Sequence, residues 1–257
     1  MPVSPIARDL ETALRRLEER YPGPFPVDRA PRALEEASLP TGIDRLDALL
    51  PGGGLPRGAL IELSGAPSSG KTSLTLALIA AAQRRAESVA YVDPERSFFA
   101  PSAQAAGIDL EQLLLVRPTP RSAPRSSRAR RPDTLAGFRV IDHLLRSKWF
   151  SLLVLDLGGP FRPPPLDRLF RISRLARVGE TVTLLLTETD ALRPSLGSPV
   201  SLRLTVTRTG FRFTPKALSP FALGGLRVRV AVRKSKFGPA GGPGNEVSLD
   251  LLPDAVA

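Results

Sequence analysis

The stretch Ala59-Leu60-Ile61-Glu62-Leu63-Ser64-Gly65-Ala66-Pro67-Ser68-Ser69-Gly70-Lys71-Thr72-Ser73 joins an apolar run to a glycine-rich turn that closes on Gly-Lys-Thr. Ala59 to Leu63 reads as a strand, and Lys71 to Arg85, rich in Ala and Leu, reads as a helix. Strand, glycine-rich turn and helix in that order make a phosphate-binding loop. Small residues between Gly65 and Gly70 let backbone N–H groups wrap a phosphate, and the helix N-terminus adds a positive dipole. Lys71 then reaches the β- and γ-phosphates, and the Thr72 hydroxyl ligates magnesium. The stretch from Gly65 through Ala66, Pro67, Ser68, Ser69, Gly70, Lys71 and Thr72 to Ser73 is thus the predicted seat of a nucleoside triphosphate with Mg2+.

Such a site needs acids from neighbouring strands. Ser151 to Asp156 is an apolar strand with an acidic end. Asp156 is a candidate second magnesium acid, the alternative being a cap on the next segment. Glu95 follows the strand Ser88–Asp93, at the carboxyl edge where open α/β sheets place ligands. It is a candidate base for the attacking water, with a solvated surface Glu as the alternative.

Further elements follow from the pattern. Thr41, as N-cap, opens a short helix through Leu50. Strands are predicted at Leu113–Val116, Thr181–Thr187, Ser201–Thr207, Arg227–Arg233 and Val247–Leu251, and helices at Asp133–Leu145 and Leu166–Arg177. Alternating strands and helices, then a β-rich end, predict an α/β fold: a mostly parallel sheet with helices on both faces and an antiparallel, β-rich C-terminal extension. Residues 1–31 form a separate unit, a helix from Ile6 to Arg20 with a Pro-rich linker, that docks on its own core or on a partner; residues 32–257 form the core.

With 257 residues, 42% of them apolar, a packed core is within reach. There are no cysteines, which excludes disulfides and thiolate metal sites. The first residues lack the regions of a signal peptide, and no run of about 18 apolar residues suggests a membrane span; the expectation is a cytoplasmic protein. The net charge of +11 is uneven. Residues 1–116 hold 12 basic and 15 acidic side chains, and residues 117–257 hold 24 and 10, net +14. A polyanion partner on the later half is implied, an Arg-favouring genome being the alternative.

Thr41-Gly42-Ile43-Asp44-Arg45-Leu46-Asp47, Gly52 to Gly58, the phosphate loop, Tyr91-Val92-Asp93-Pro94-Glu95 and Gly107 to Leu114 together resemble the RecA recombinase core. The resemblance implies an ATPase core with Glu95 as catalytic glutamate beside Lys71, Asp156 as the magnesium acid, and ATP as nucleotide. Lys234 and Lys236 resemble the pair that reaches across a subunit interface to a neighbour's ATP, which implies a homo-oligomer; a generic basic turn is the alternative. Departures are specific. Glu188 replaces the family's γ-phosphate-sensing glutamine, so that an anion would face an anion. The segments that would carry the family's two DNA loops are short. Ser102 stands at the adenine-stacking aromatic, with Phe98 and Phe99 as nearby substitutes.

These losses, the stretch at 107–118 and the Arg-rich second half resemble the ImuA-type RecA paralogues of translesion synthesis. That resemblance implies DNA-dependent ATPase work in SOS damage tolerance, at the bacterial nucleoid. The implied partners are single-stranded DNA, RecA, an inactive Y-family-like polymerase subunit and an error-prone replicative-type polymerase. A non-catalytic adaptor and a RecA-like ATPase acting away from DNA are the alternatives. Residues 117–132 are a low-complexity basic loop; Arg121, Arg125, Arg128, Arg130 and Arg131, together with Arg174 and Arg177 on the later helix, are the predicted DNA contacts, a solvated tether being the alternative for the loop.

Overall fold

The computed structural model describes Thr12 and residues 37–118, 134–159, 164–188, 196–216, 219–238 and 244–251. The N-terminal helix, the linker and Arg121, Arg125, Arg128, Arg130 and Arg131 lie outside the described residues.

In chain order the elements are β1 (Ser38–Leu39), α1 (Asp44–Asp47), β2 (Leu55–Pro56), β3 (Leu60–Gly65), α2 (Lys71–Arg84), β4 (Val89–Val92), α3 (Ala100–Ala105) and β5 (Leu113–Val116). Then follow α4 (Thr134–Ser147), β6 (Leu152–Asp156), α5 (Leu166–Val178), β7 (Val182–Glu188), β8 (Leu202–Lys216), β9 (Ser219–Ser235) and β10 (Glu246–Leu251). Eight strands form one sheet in the order β10-β9-β8-β3-β7-β6-β4-β5. From β8 to β5 all neighbours are parallel, while β9 and β10 add an antiparallel edge.

Strand β3 is buried along its whole length because both faces of the sheet are covered. Ile61 and Leu63 enter the core under α2, which also holds Leu74, Ile79, Tyr91, Val206, Val228 and Val230. Leu60, Leu153, Leu155 and Leu185 enter the opposite core with Phe138, Ile141 and Leu144 of α4 and Leu169 and Ile172 of α5. Helix α2 buries residues around most of its circumference, from Leu74 to Ala82, which is why its sequence is Ala- and Leu-rich rather than amphipathic.

Two expectations change. The short helix begins after Ile43, not Thr41. Thr41 closes a turn instead: its Oγ1 accepts from the Ile43 N–H (3.2 Å) and its own N–H donates to Asp47 Oδ1 (2.8 Å). The C-terminal strands are far longer than the alternating segments suggest, because β8 and β9 pair as one hairpin from Leu202↔Ser235 to Lys216↔Ser219. Gly210 and Pro215 read as strand breakers, yet register shifts at Arg208/Gly210 and Thr214/Lys216 absorb them as bulges.

Candidate nucleotide-binding site

The parallel strands end at one edge, and register fixes what meets there. Gly65 of β3 pairs with Glu188 of β7, Asp156 of β6 pairs with Leu186, and Val92 of β4 pairs with Leu155. The phosphate loop, Glu188, Asp156 and the turn carrying Asp93 and Glu95 therefore share the carboxyl edge.

Gly70 precedes α2 at φ 97°, a left-handed conformation suited to glycine, and a Cβ there would lie 2.7 Å from Val228 Cγ1. Helix α2 can thus start hard against β9. Lys71 Nζ donates to Gly65 O (2.7 Å) and Ala66 O (2.9 Å), holding the loop on its own backbone. Burial pushes the Lys71 ammonium below its ordinary pKa, against the pull of Glu188 and then Asp156. Ser69 Oγ is buried and finds no partner among the described residues. An orphan hydroxyl, a lysine satisfied only by carbonyls and a helix N-terminus fit a triphosphate. Thr72 and Ser73 open the helix, with the Thr72 side chain exposed toward solvent.

Asp156 is buried, and its carboxylate is held from three sides. Tyr91 Oη donates to Oδ2 at 2.7 Å, Ser97 Oγ to Oδ2 at 3.0 Å, and the Gly158 N–H to Oδ1 at 3.0 Å. Burial and the Asp156 charge push the Tyr91 phenol well above its ordinary range, so it remains a donor. Asp93 is fully buried and accepts from Ser97 N, Phe98 N and Arg117 Nε, which ties down the turn around Glu95. A Cβ on Gly158 would lie 2.5 Å from Glu95 Cγ, so Glu95 packs directly over that glycine. Burial first, then the charges of Asp156, Asp93 and Glu188, push the Glu95 carboxyl up from its ordinary 4.5, the direction that suits a general base.

Among the described residues no group of three or more His, Asp or Glu side chains forms a metal cage. Magnesium at this edge would rest on Thr72 and Asp156, with phosphate oxygens and water completing its shell.

Not every predicted site residue comes together here. Lys234 and Lys236 sit at the end of β9 beside the start of β8, with Arg203 opposite Lys234 and Leu202 opposite both Ser235 and Ile61. That is the amino edge, away from the chain's own phosphate loop. Their ammonium groups donate to Gly197 O (2.9 Å) and Ser198 O (2.6 Å). Arg174 and Arg177 are exposed on α5, which descends from the carboxyl edge; Gly58, just before β3, abuts the Arg177 backbone, so Arg177 also belongs to the amino edge. Arg117, the first residue of the predicted basic loop, is instead anchored, bonding Asp93 (3.1 Å) and Phe98 O (3.0 Å). Phe98 is no stacking substitute: it is buried against Tyr91, centroids 5.0 Å apart. Phe99 is exposed, as is Ser102 on α3.

Sequence reasoning missed Tyr91, Ser97 and Arg117, and it missed Arg208 and Arg233, which line a crevice with Gly65–Ser69 and Thr205–Thr207. The available signal was a lone Tyr in the buried strand beside the one ending in Asp156.

A family model described as the RecA N-terminal domain matches residues 8–124. The RecA protein of Streptomyces ambofaciens is 34% identical over 148 residues, covering 57% of this chain and 36% of that protein. Residues 8–124 are thus similar to the RecA N-terminal domain. RecA of Clavibacter michiganensis subsp. michiganensis is 36% identical over 156 residues, 58% of this chain and 38% of its own length. The matches thus span little more than a third of these RecA proteins. The crystal structure of the RadB recombinase shares the RecA-like fold with a TM-score of 0.59 at 23% identity, covering 84% of this chain and 96% of that one.

Proposed function

We propose that this RecA-like chain is a magnesium-dependent ATPase that works with single-stranded DNA as an accessory in SOS damage tolerance and translesion synthesis. The observation that carries the ATPase reading is the convergence of Lys71, Asp156 and Glu95 on one sheet edge, with the Glu95 carboxyl pushed up by burial and then by its neighbours' charges. Gly65 to Ser73 hold the triphosphate, Lys71 exchanging its two carbonyl partners for phosphate oxygens. Bound magnesium supplies the charge neutralisation that phosphoryl transfer requires. Tyr91 and Ser97 fix the Asp156 carboxylate, which would help hold magnesium, and Glu95 would orient the attacking water and accept its proton.

The net charge of +14 over residues 117–257 supports DNA as partner, contacted through Arg121, Arg125, Arg128, Arg130 and Arg131 and through Arg174 and Arg177. The amino-edge position of Lys234 and Lys236 supports a homo-oligomer in which they serve a neighbour's site. The resemblance of residues 107–118 supports RecA and an inactive Y-family-like polymerase subunit as partners, and work at the bacterial nucleoid.

One observation favours a second reading. Glu188 sits opposite Gly65 and heads the charges acting on Lys71, so an anion already occupies the sensor position. In that reading nucleotide stiffens the fold without turnover and the chain recruits polymerase subunits. ATP turnover with and without single-stranded DNA decides between them. Stimulated hydrolysis abolished by Lys71→Ala and by Glu95→Ala is the expected result. Binding without turnover establishes the adaptor, and turnover indifferent to DNA removes DNA from the account.

A further inference from the structure

The β8–β9 hairpin does more than close the sheet. Val206 lies beside the phosphate loop, and β8 continues ten residues beyond it to Lys216. At about 3.3 Å per residue that is an arm of roughly 30 Å projecting past the carboxyl edge. Its root borders the phosphate loop, since Thr207 and Arg208 line a crevice with Gly65–Ser69.

The described part of this arm exposes two large rings. Phe211 is 48% exposed and Phe213 56% exposed, their centroids 6.5 Å apart. The Arg208 guanidinium lies 4.8 Å from the Phe211 centroid, so one face of that ring is spent on a cation. Around the rings the charge is one-sided. Residues 206–216 and 219–230, the arm's own strands, hold five basic and no acidic side chains, and the neighbouring β10 adds two acids. The two acids are shared out: Asp250 faces both Arg227 (3.0 Å) and Arg212 (3.7 Å), and Glu246 faces Arg229 (3.8 Å). All these pairs are solvent-exposed and weak.

Exposed aromatics within a cationic surface match one polyanion that also carries flat apolar faces. The geometry points to the β8–β9 arm as a single-stranded nucleic-acid platform, with Phe211 and Phe213 stacking bases and Arg208, Arg212, Arg227 and Arg229 meeting phosphates. The inference rests on the reading that this chain works with single-stranded DNA, and it places that contact on an element distinct from the basic loop and α5. Stacking on rings is tolerant of sequence, and phosphate contact makes binding fall with salt.

The test is anisotropy titration of a labelled oligo-dT with the full chain at low salt, beside ATP affinity for each variant. Phe211→Ala/Phe213→Ala lowers oligo-dT affinity by about tenfold or more and leaves ATP affinity unchanged. Phe211→Leu/Phe213→Leu, which keeps the apolar volume and the fold, shows the same loss, and Phe211→Trp/Phe213→Trp retains binding. Oligo-dT affinity unchanged in the Leu variant overturns the inference alone. Lost ATP affinity with intact oligo-dT affinity also overturns it, by assigning the rings to the nucleotide. A wild-type chain that binds no oligo-dT sinks the DNA reading along with it.

Discussion

At the scale of single residues the site is a set of constraints on two carboxyl groups. Tyr91 and Ser97 fix Asp156, and Gly158 leaves room for Glu95. Tyr91→Phe deletes a donor to a carboxylate, a bond of about 1.5–3 kcal/mol. The expected outcome is roughly a tenfold or greater loss in magnesium-dependent ATP affinity, measured by calorimetry across magnesium concentrations. Glu95 carries a stability signature of opposite sign. Its folded-state pKa is raised above the ordinary 4.5, so the folded protein holds that proton more tightly than the unfolded chain. Its contribution therefore favours folding below 4.5 and is lost as pH rises through the raised value. Glu95→Gln removes the burial cost of a charged carboxylate and then the repulsion from Asp156, Asp93 and Glu188, so at pH 7 its melting temperature should exceed wild type while turnover disappears. A gain that vanishes near pH 4 completes the expectation, and equal melting temperatures at both pH values contradict it.

At the scale of elements, the sheet is held to its helices by a few buried polar ties as well as by its two cores. Arg57, just before β3, pairs with Glu87, just after α2, both nearly buried, and Ser151 also donates to Glu87. Arg57→Ala leaves a buried carboxylate short of its cation and should cost about 3–5 kcal/mol, read from urea denaturation midpoints with an unchanged slope. Elements were the most legible part of the sequence. The run from Ala59 to Ser73 carries strand, loop and helix within its own residues, and local pattern is enough there. The hairpin was not legible in the same way. Gly210 and Pro215 are locally strand breakers, and only long-range pairing with β9 supplies the bulges that accommodate them. Phe98 misled for a related reason: its ring is claimed by Tyr91, a partner on a strand that sequence spacing does not bring to it. Phosphate-loop residues were legible because they are contiguous. Ser97, Arg117 and Arg208 were not, because their roles arise from where other strands end.

At the scale of the whole molecule, the two candidate edges lie on opposite ends of the sheet. Lys71, Asp156 and Glu95 occupy the carboxyl edge, and Lys234 and Lys236 the amino edge. Head-to-tail stacking would bring one subunit's lysines to the next subunit's nucleotide. Glu95→Gln and Lys234→Ala/Lys236→Ala, each inactive alone, should then regain turnover when mixed. With random equal mixing, about a quarter of interfaces combine an intact site with intact lysines. No recovery on mixing contradicts a shared site.

Every function proposed for this chain turns on the carboxyl edge being a magnesium–ATP site. Calorimetric titration of ATP into the wild-type chain, Lys71→Ala and Asp156→Asn, each with magnesium and with chelator, measures that directly. Binding by wild type that requires magnesium and is lost in both variants is the predicted result. Affinity in both variants equal to wild type, or binding indifferent to magnesium, would contradict it.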